Sequence, residues 1–206
     1  MADYKKPDYW QQKARKEGYP ARSVYKLKEI DEKFGLFKNA RLRVLDIGAA
    51  PGSWSLYVMR KMGTTNEGFL AAADLSPLSR EFDKGLFNNS NFFFIQGDIT
   101  DSTIREAIFA KGPYLTIISD AAPATTGNHT VDAARSLSLA EEVINYSENV
   151  LSSGGNLVVK VFQGGDSEAL FKRLKTLFQT VKSFKPRSCR SESVETYFIG
   201  LRKKDA

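Results

Sequence analysis

From residue 41 onward, short apolar runs almost free of charge alternate with stretches long enough for helices. The runs are Arg41–Gly48, Phe69–Leu75, Asn91–Gln96, Tyr114–Ser119 and Asn156–Phe162. Strands that are covered on both faces read this way, and alternation with helices predicts a mostly parallel sheet between helical layers. Ser53–Lys61 and Asp132–Leu151 are two of the intervening helices. Two further runs, Thr180–Phe184 and Thr196–Leu201, are joined by a basic loop without a helix signal. They predict an antiparallel pair at the sheet edge, which brings the strands to seven. The first 40 residues read as helical, most clearly Arg22–Phe34. With no repeat, low-complexity tract or linker in its 206 residues, the chain is expected to form one domain, with residues 41–204 as the sheet core and 1–40 as a basic helical extension.

The first strand ends in Asp46-Ile-Gly-Ala-Ala-Pro-Gly-Ser-Trp54. Gly48 and Gly52 permit a tight turn and a close backbone approach to a ligand, and a helix beginning near Ser53 presents free N–H groups. Pro51 lacks an N–H, and the spacing is not that of a dinucleotide pyrophosphate loop. A small carboxylate, such as the methionine end of S-adenosylmethionine, suits this turn better. Asp74 closes the second strand, where a carboxylate can bind both hydroxyls of a ribose. Asp98 follows the third, within reach of an adenine amino group. Ligands of open α/β sheets bind outside the C-terminal strand ends, where these acids lie. Each acid taken alone is equally well read as a turn former or helix cap.

Lys160 interrupts the run Leu157-Val-Val-Lys-Val-Phe162. A lysine in a buried strand is costly unless paired or neutral, and burial lowers its pKa toward that of a general base. Its side chain could instead reach solvent near a strand end. Asp120 ends the neighbouring strand, Glu195 begins the last one, and Lys26 lies on the N-terminal helix. Their spacing in sequence does not show that the four meet.

Charge is unevenly spread. Residues 1–43 carry twelve Lys/Arg against six Asp/Glu, residues 44–170 eight against fifteen, and residues 171–206 ten against three. Basic flanks could bind phosphates and an acidic centre could hold a cationic ligand; solvated surface lysines account for the charge equally well. No apolar run is long enough to span a membrane, and no secretory signal follows the N-terminus. A single cysteine, Cys189, agrees with a reducing cytoplasm. With one histidine, His129, and one cysteine there is no zinc ligand set, and no metal is expected. His129 reads as a solvated turn residue. No G-x-S-x-G elbow supports serine hydrolysis.

Five blocks occur in order: Ala21–Leu27, Asp46–Ser55, Ser119–Pro123, Val158–Gly164 and Ser193–Tyr197. In these the sequence resembles the FtsJ (RrmJ) ribose 2′-O-methyltransferases of RNA, from about Tyr9 to Lys203. The resemblance implies a Rossmann-like class I S-adenosylmethionine-dependent methyltransferase fold, with the last strand antiparallel and helices on both faces. It implies a catalytic tetrad at Lys26, Asp120, Lys160 and Glu195. Cofactor contacts would fall on Asp46, Gly48, Pro51, Gly52, Trp54, Asp74, Leu75, Asp98, Ile99 and Asp120, with S-adenosylhomocysteine as product. Trp54 also has a packing reading. One branch of the family methylates a uridine of large-subunit ribosomal RNA, and others act on tRNA anticodon loops or mRNA caps. Ser53 stands where bacterial members commonly have glycine, and Thr125–Asp132 departs from the usual loop.

That chemistry requires the 2′-oxygen to be held about 3 Å from the methyl carbon and relieved of its proton. Lys160 is the candidate base; the rival is a charged Lys160 that only orients the hydroxyl or stabilises the alkoxide. RNA would meet Lys5, Lys6, Lys13, Arg15, Lys16 and Arg22 on one side and Lys182, Lys185, Arg187 and Arg190 on the other, with Tyr9, Trp10, Tyr19 and Tyr25 available for stacking. For Tyr25, anchoring the N-terminal helix is the preferred role. A monomer is expected. A nucleotide oxidoreductase predicts a G-x-G-x-x-G loop that is missing. A non-catalytic ribosome-assembly factor predicts loss of tetrad residues, all of which are present. A base methyltransferase predicts an Asn/Asp-Pro-Pro-aromatic segment where Asp120-Ala-Ala-Pro123 stands.

Overall fold

The computed structural model describes residues 8–38, 41–63, 67–124, 126–164, 167–190 and 192–205. Seven strands form one sheet in the order β3-β2-β1-β4-β5-β7-β6. They are β1 (Arg43–Ile47), β2 (Phe69–Asp74), β3 (Phe92–Gln96), β4 (Tyr114–Ser119), β5 (Leu151–Phe162), β6 (Phe178–Phe184) and β7 (Glu195–Lys203). Strands β1 to β5 pair in parallel, and β7 runs antiparallel to both β5 and β6. The order reverses between β1 and β4, and such a switch point opens a crevice at the strand C-termini.

The strands are apolar on both faces because both are covered. Val44, Ile118, Val158 and Ile199 enter one core with helices α1 (Tyr9–Lys16), α2 (Val24–Phe34) and α3 (Ser53–Met62). Their neighbours Leu45, Ile117, Leu157 and Phe198 enter the other, beneath α4 (Ser102–Phe109), α5 (His129–Val150) and α6 (Ser167–Leu177). The period-two alternation of side chains thus feeds two cores from one sheet.

Strand β5 begins five residues before the expected run, and its pairing with β4 shifts register between Tyr114 and Thr116. Ser152-Ser-Gly-Gly155 reads as a turn in sequence, and Gly154 adopts φ +76°, so the early part is an irregular extension of the strand. The N-terminal helices are tied down by polar contacts. Asp31 is buried on α2, where it accepts from Phe37 N at 3.1 Å and Tyr57 Oη at 2.7 Å and pairs with Lys61 at 3.2 Å. Trp54 Nε1 donates to Ser23 O at 2.8 Å, joining α3 to the start of α2. No described helix is long and apolar enough to cross a membrane.

Candidate active site

The turn after β1 is set by close packing. Gly48 has φ +78°, and a Cβ there would lie 2.5 Å from the Cα of Ala121 on the segment leaving β4. Only glycine lets the two crossing segments touch. Gly48 N and Ala49 N donate to Ala73 O, and Ala50 N donates to Asp74 Oδ2 at 2.9 Å. Gly52 has φ +109°, and α3 starts at Ser53. The Ser53 hydroxyl accepts from Ala21 N at 2.8 Å and donates to Ala21 O at 3.1 Å. The serine that replaces a common glycine therefore fastens the helix start to the N-terminal segment.

A cavity of about 240 Å³ lies at the switch point. Gly48, Asp74, Leu75, Asp98, Ile99 and Asp120 line it. Asp46, Pro51, Gly52 and Trp54 do not: Pro51 and Gly52 belong to the turn, and Asp46 and Trp54 flank it on β1 and α3. Asp74 spends one lone pair of each oxygen on backbone N–H groups, since Oδ1 accepts from Ser76 N at 2.7 Å on its own segment and Oδ2 from Ala50 N on the turn. Asp98 Oδ1 accepts from Thr100 N at 2.9 Å and Thr100 Oγ1 at 2.8 Å, which hold its carboxyl below the usual range. Leu75 is 67% exposed, unusual for a leucine, and offers an apolar flank at the rim. Trp54 is buried and packs near Tyr197, with ring centroids 5.9 Å apart, so the structure gives it a packing position.

Asp46 is fully buried beneath the turn. Its Oδ2 accepts from Ser55 Oγ at 2.6 Å, and its Oδ1 has no hydrogen-bond partner among the described residues. Burial, then the charges of Asp120 and Asp74, push its carboxyl up to about 7, against the Ser55 bond.

Lys26, Asp120, Lys160 and Glu195 come together. Lys160 Nζ lies 3.0 Å from Asp120 Oδ1 and also donates to the Asp120 backbone carbonyl. Lys26 Nζ lies 3.8 Å from the same Oδ1 and 2.8 Å from Glu195 Oε2. Burial raises the Asp120 carboxyl, but Lys160, Lys26 and a hydrogen bond from Tyr197 outweigh it and hold the group below its usual value. Burial lowers Lys26, and Asp120 and Glu195 more than reverse that, so its ammonium is held above the usual lysine range.

Tyr197 belongs to this cluster and went unnoticed in the sequence as a site residue. Its hydroxyl donates to Asp120 Oδ1 at 2.6 Å. Burial, then the charge of Asp120, raises it well above the ordinary tyrosine value. The signal was available: Tyr197 follows Glu195 by two in a strand, so both face the same side.

A second cavity, of about 250 Å³, lies on the far side of the tetrad, lined by Arg22, Lys26, Ser188, Arg190 and Glu195 among others. Asp120 lines the first cavity, Lys26 and Glu195 line the second, and the ionic network joins them. Arg22 is engaged here, pairing with Asp8 and donating to Ser188 O at 2.6 Å. Of the other basic candidates, Arg15 pairs with Glu81, Lys13 with Glu17, and Lys185 donates to Ser193 O, while Lys16, Lys182, Arg187 and Arg190 are exposed. Lys5 and Lys6 lie outside the described residues. Tyr19 and Tyr25 are buried in the core, whereas Tyr9 is 68% exposed.

This fold is that of the class I methyltransferases. An O-methyltransferase from Streptomyces achromogenes, solved with S-adenosylmethionine, matches 96% of this chain and 91% of its own at a TM-score of 0.57 and 14% identity, a likeness of fold alone. A crystal structure from Plasmodium falciparum, described as a ribosomal RNA methyltransferase, covers 91% of this chain and 100% of its own, at TM-score 0.75 and 26% identity. The chain belongs to the FtsJ-like methyltransferase family, whose model matches residues 19–203. Among curated relatives, the ribosomal RNA large subunit methyltransferase E of Treponema denticola is 51% identical over 96% of both chains. That of Borreliella afzelii is 48% identical over 94% of this chain and 96% of its own.

Proposed function

We propose that this methyltransferase transfers the methyl group of S-adenosylmethionine to a ribose 2′-hydroxyl of large-subunit ribosomal RNA, with uridine as acceptor. Supporting the RNA are the relatives named above. Supporting the position of attack is the tetrad between two cavities, one lined by carboxylates and the other by arginines and serines.

The carboxylate-lined cavity suits a cationic nucleoside. Asp74, its two oxygens oriented by the turn, would accept from the cofactor ribose. Asp98 would meet the adenine edge between Leu75 and Ile99, and the Gly48 backbone would allow the methionine end close approach. The bound cofactor supplies a methyl group already activated on sulfur, so the protein's task is to place and deprotonate the acceptor.

Lys160 Nζ is the group that meets the 2′-hydroxyl: as a neutral amine it takes the proton, and as an ammonium it hydrogen-bonds the developing alkoxide while the proton leaves to water. Asp120 fixes where that nitrogen points, and Lys26 and Tyr197 fix Asp120. Glu195 holds Lys26 at the wall of the acceptor cavity, where Arg22 and Arg190 would face the RNA backbone. The protein is proposed to act as a monomer in a bacterial cytoplasm, as one domain with its basic N-terminal extension against the RNA.

The deciding experiment is transfer of labelled methyl groups to large ribosomal subunits lacking the modification, with mapping of the labelled nucleotide. One 2′-O-methylated nucleotide, lost with Lys160→Met, is the expected result. Cofactor binding without transfer to ribosomal RNA would turn the reading toward tRNA or another RNA, and no cofactor binding toward an assembly factor. A rate that rises with pH would mark a neutral Lys160 that takes the proton; a flat profile would mark an ammonium that only orients.

A further inference from the structure

A third cavity, of about 800 Å³, is neither of those that flank the tetrad. It is an open groove between α1, α2 and the segment leading out of β6. Trp10 and Phe184 supply aromatic surface beside the buried Tyr25, and Lys33, Lys185 and Arg187 stand along the edge. Trp10 and Tyr25 pack at 4.9 Å between centroids, and Trp10 is partly buried beside the groove. On the other wall Lys33 Nζ sits 4.2 Å from the Phe184 ring centroid.

The groove also contains acids, and their bonding decides its character. Glu29 is consumed by the fold: its two oxygens accept from Arg187 N at 2.7 Å and Ser188 N at 2.9 Å. Glu17 pairs with Lys28 at 2.6 Å and Lys13 at 3.9 Å. Only Glu32 is left among them, whereas Lys33, Lys185 and Arg187 form no ion pair among the described residues. The surplus is cationic and lies beside aromatic faces.

The groove neighbours the acceptor cavity. Tyr25 and Arg187 line the groove, and their chain neighbours Lys26 and Ser188 line the acceptor cavity. Glu29 stitches this shared wall together. A strand whose ribose reaches Lys160 would pass over that wall directly into the groove.

We infer that this groove receives an unpaired nucleotide flanking the methylated one, with its base against Trp10 and its phosphates toward Lys33, Lys185 and Arg187. The inference rests on the RNA reading above and adds a second, base-stacking subsite that selects single-stranded acceptor RNA. Aromatic faces framed by cations suit single strands because every base has a stacking face, while phosphates meet the rim. A rigid duplex would keep its bases stacked on each other and offer Trp10 no base.

Trp10 reports on the subsite, since Trp54, the other tryptophan, is buried. Titrating the full protein with a short oligouridylate should quench tryptophan emission in the wild type and not in Trp10→Phe. The same backbone made abasic should bind about tenfold more weakly and quench little. Lys33→Glu, an exposed substitution, should weaken oligouridylate binding several-fold and raise the KM for RNA with kcat kept. Equal quenching in Trp10→Phe, or equal affinity for the abasic strand, overturns the subsite. Methyl transfer to ribosomal RNA is followed on the same preparations. Intact transfer without a Trp10 response sinks the groove alone; a Trp10 response without transfer sinks the methyltransfer reading alone.

Discussion

Lys160 stands directly opposite Tyr197 in the antiparallel β5–β7 ladder, and both side chains end on the same oxygen, Asp120 Oδ1. Cross-strand partners on one face are neighbours by construction, so the sheet itself sets the spacing of the lysine and the tyrosine. Replacing Lys160 with Met keeps the bulk and removes the nitrogen. Single-turnover transfer should slow by about a hundredfold or more, with cofactor affinity nearly unchanged. Near wild-type turnover would remove Lys160 from the chemistry.

The ionic network should mark stability at both ends of the pH scale. Asp120 is held below its unfolded value, so its contribution is present above about pH 4 and is lost as pH falls through the folded value. Lys26 is held above its unfolded value, so its contribution is present below about pH 10 and is lost as pH rises through the folded value. In Asp120→Asn the acid-side loss should shrink, as read from urea midpoints. An unchanged acid limb would show that Asp120 does not govern it.

Asp46 has the opposite sign. Its folded value near 7 exceeds its unfolded value, so the native state holds a proton that the unfolded chain has released. That costs stability progressively from about pH 4 to about pH 7, and the cost is complete above. Asp46→Asn removes the titration, and the variant should gain on the wild type as pH climbs through that window. A constant difference would place the titration elsewhere.

Gly48→Ala would place a methyl group against the backbone of Ala121 and force a positive φ on alanine. The backbone strain alone is worth about 1–2 kcal/mol. Ala121 must retreat, and since it lines the cavity proposed for the cofactor, S-adenosylhomocysteine affinity should fall together with Tm. Calorimetry showing intact affinity would mean the turn can yield elsewhere.

RNA affinity should fall steeply with salt, by about 0.7 in the logarithmic slope for each single-stranded phosphate contacted. Arg187→Glu should reduce that slope by about one contact. A slope unmoved by this change would place the backbone path on another face.

Local signals carried most of the fold. Strand runs such as Tyr114–Ser119 were legible to the residue because their apolar composition and flanking polar segments are local. Asp74 and Asp98 were placed at the cavity by strand ends alone, Asp120 only by the family resemblance, and Asp46, read the same way, lies outside its lining. The meeting of Lys26 with Asp120 was not legible from spacing, since it depends on how α2 crosses the sheet; only the family resemblance joined them. The roles of Glu29, as a clamp on two backbone amides of the basic loop, and of Asp31, as a buried anchor, depend on three-dimensional packing that no periodicity encodes. The register shift that lengthens β5 was hidden because Gly154-Gly155 looks like a turn.

The last pair joining β4 to β5 is Ser119 with Val159, so Lys160, Val161 and Phe162 are held on the β7 side only. Two of the four tetrad residues, Lys160 and Glu195, and Tyr197 therefore sit on the β5–β7 ladder itself. Lys26 alone rides on a helix outside the sheet. On warming, this arrangement separates two losses: peeling of α2 would silence the enzyme while the β5–β7 ladder stays protected, and activity would fade before the fold does.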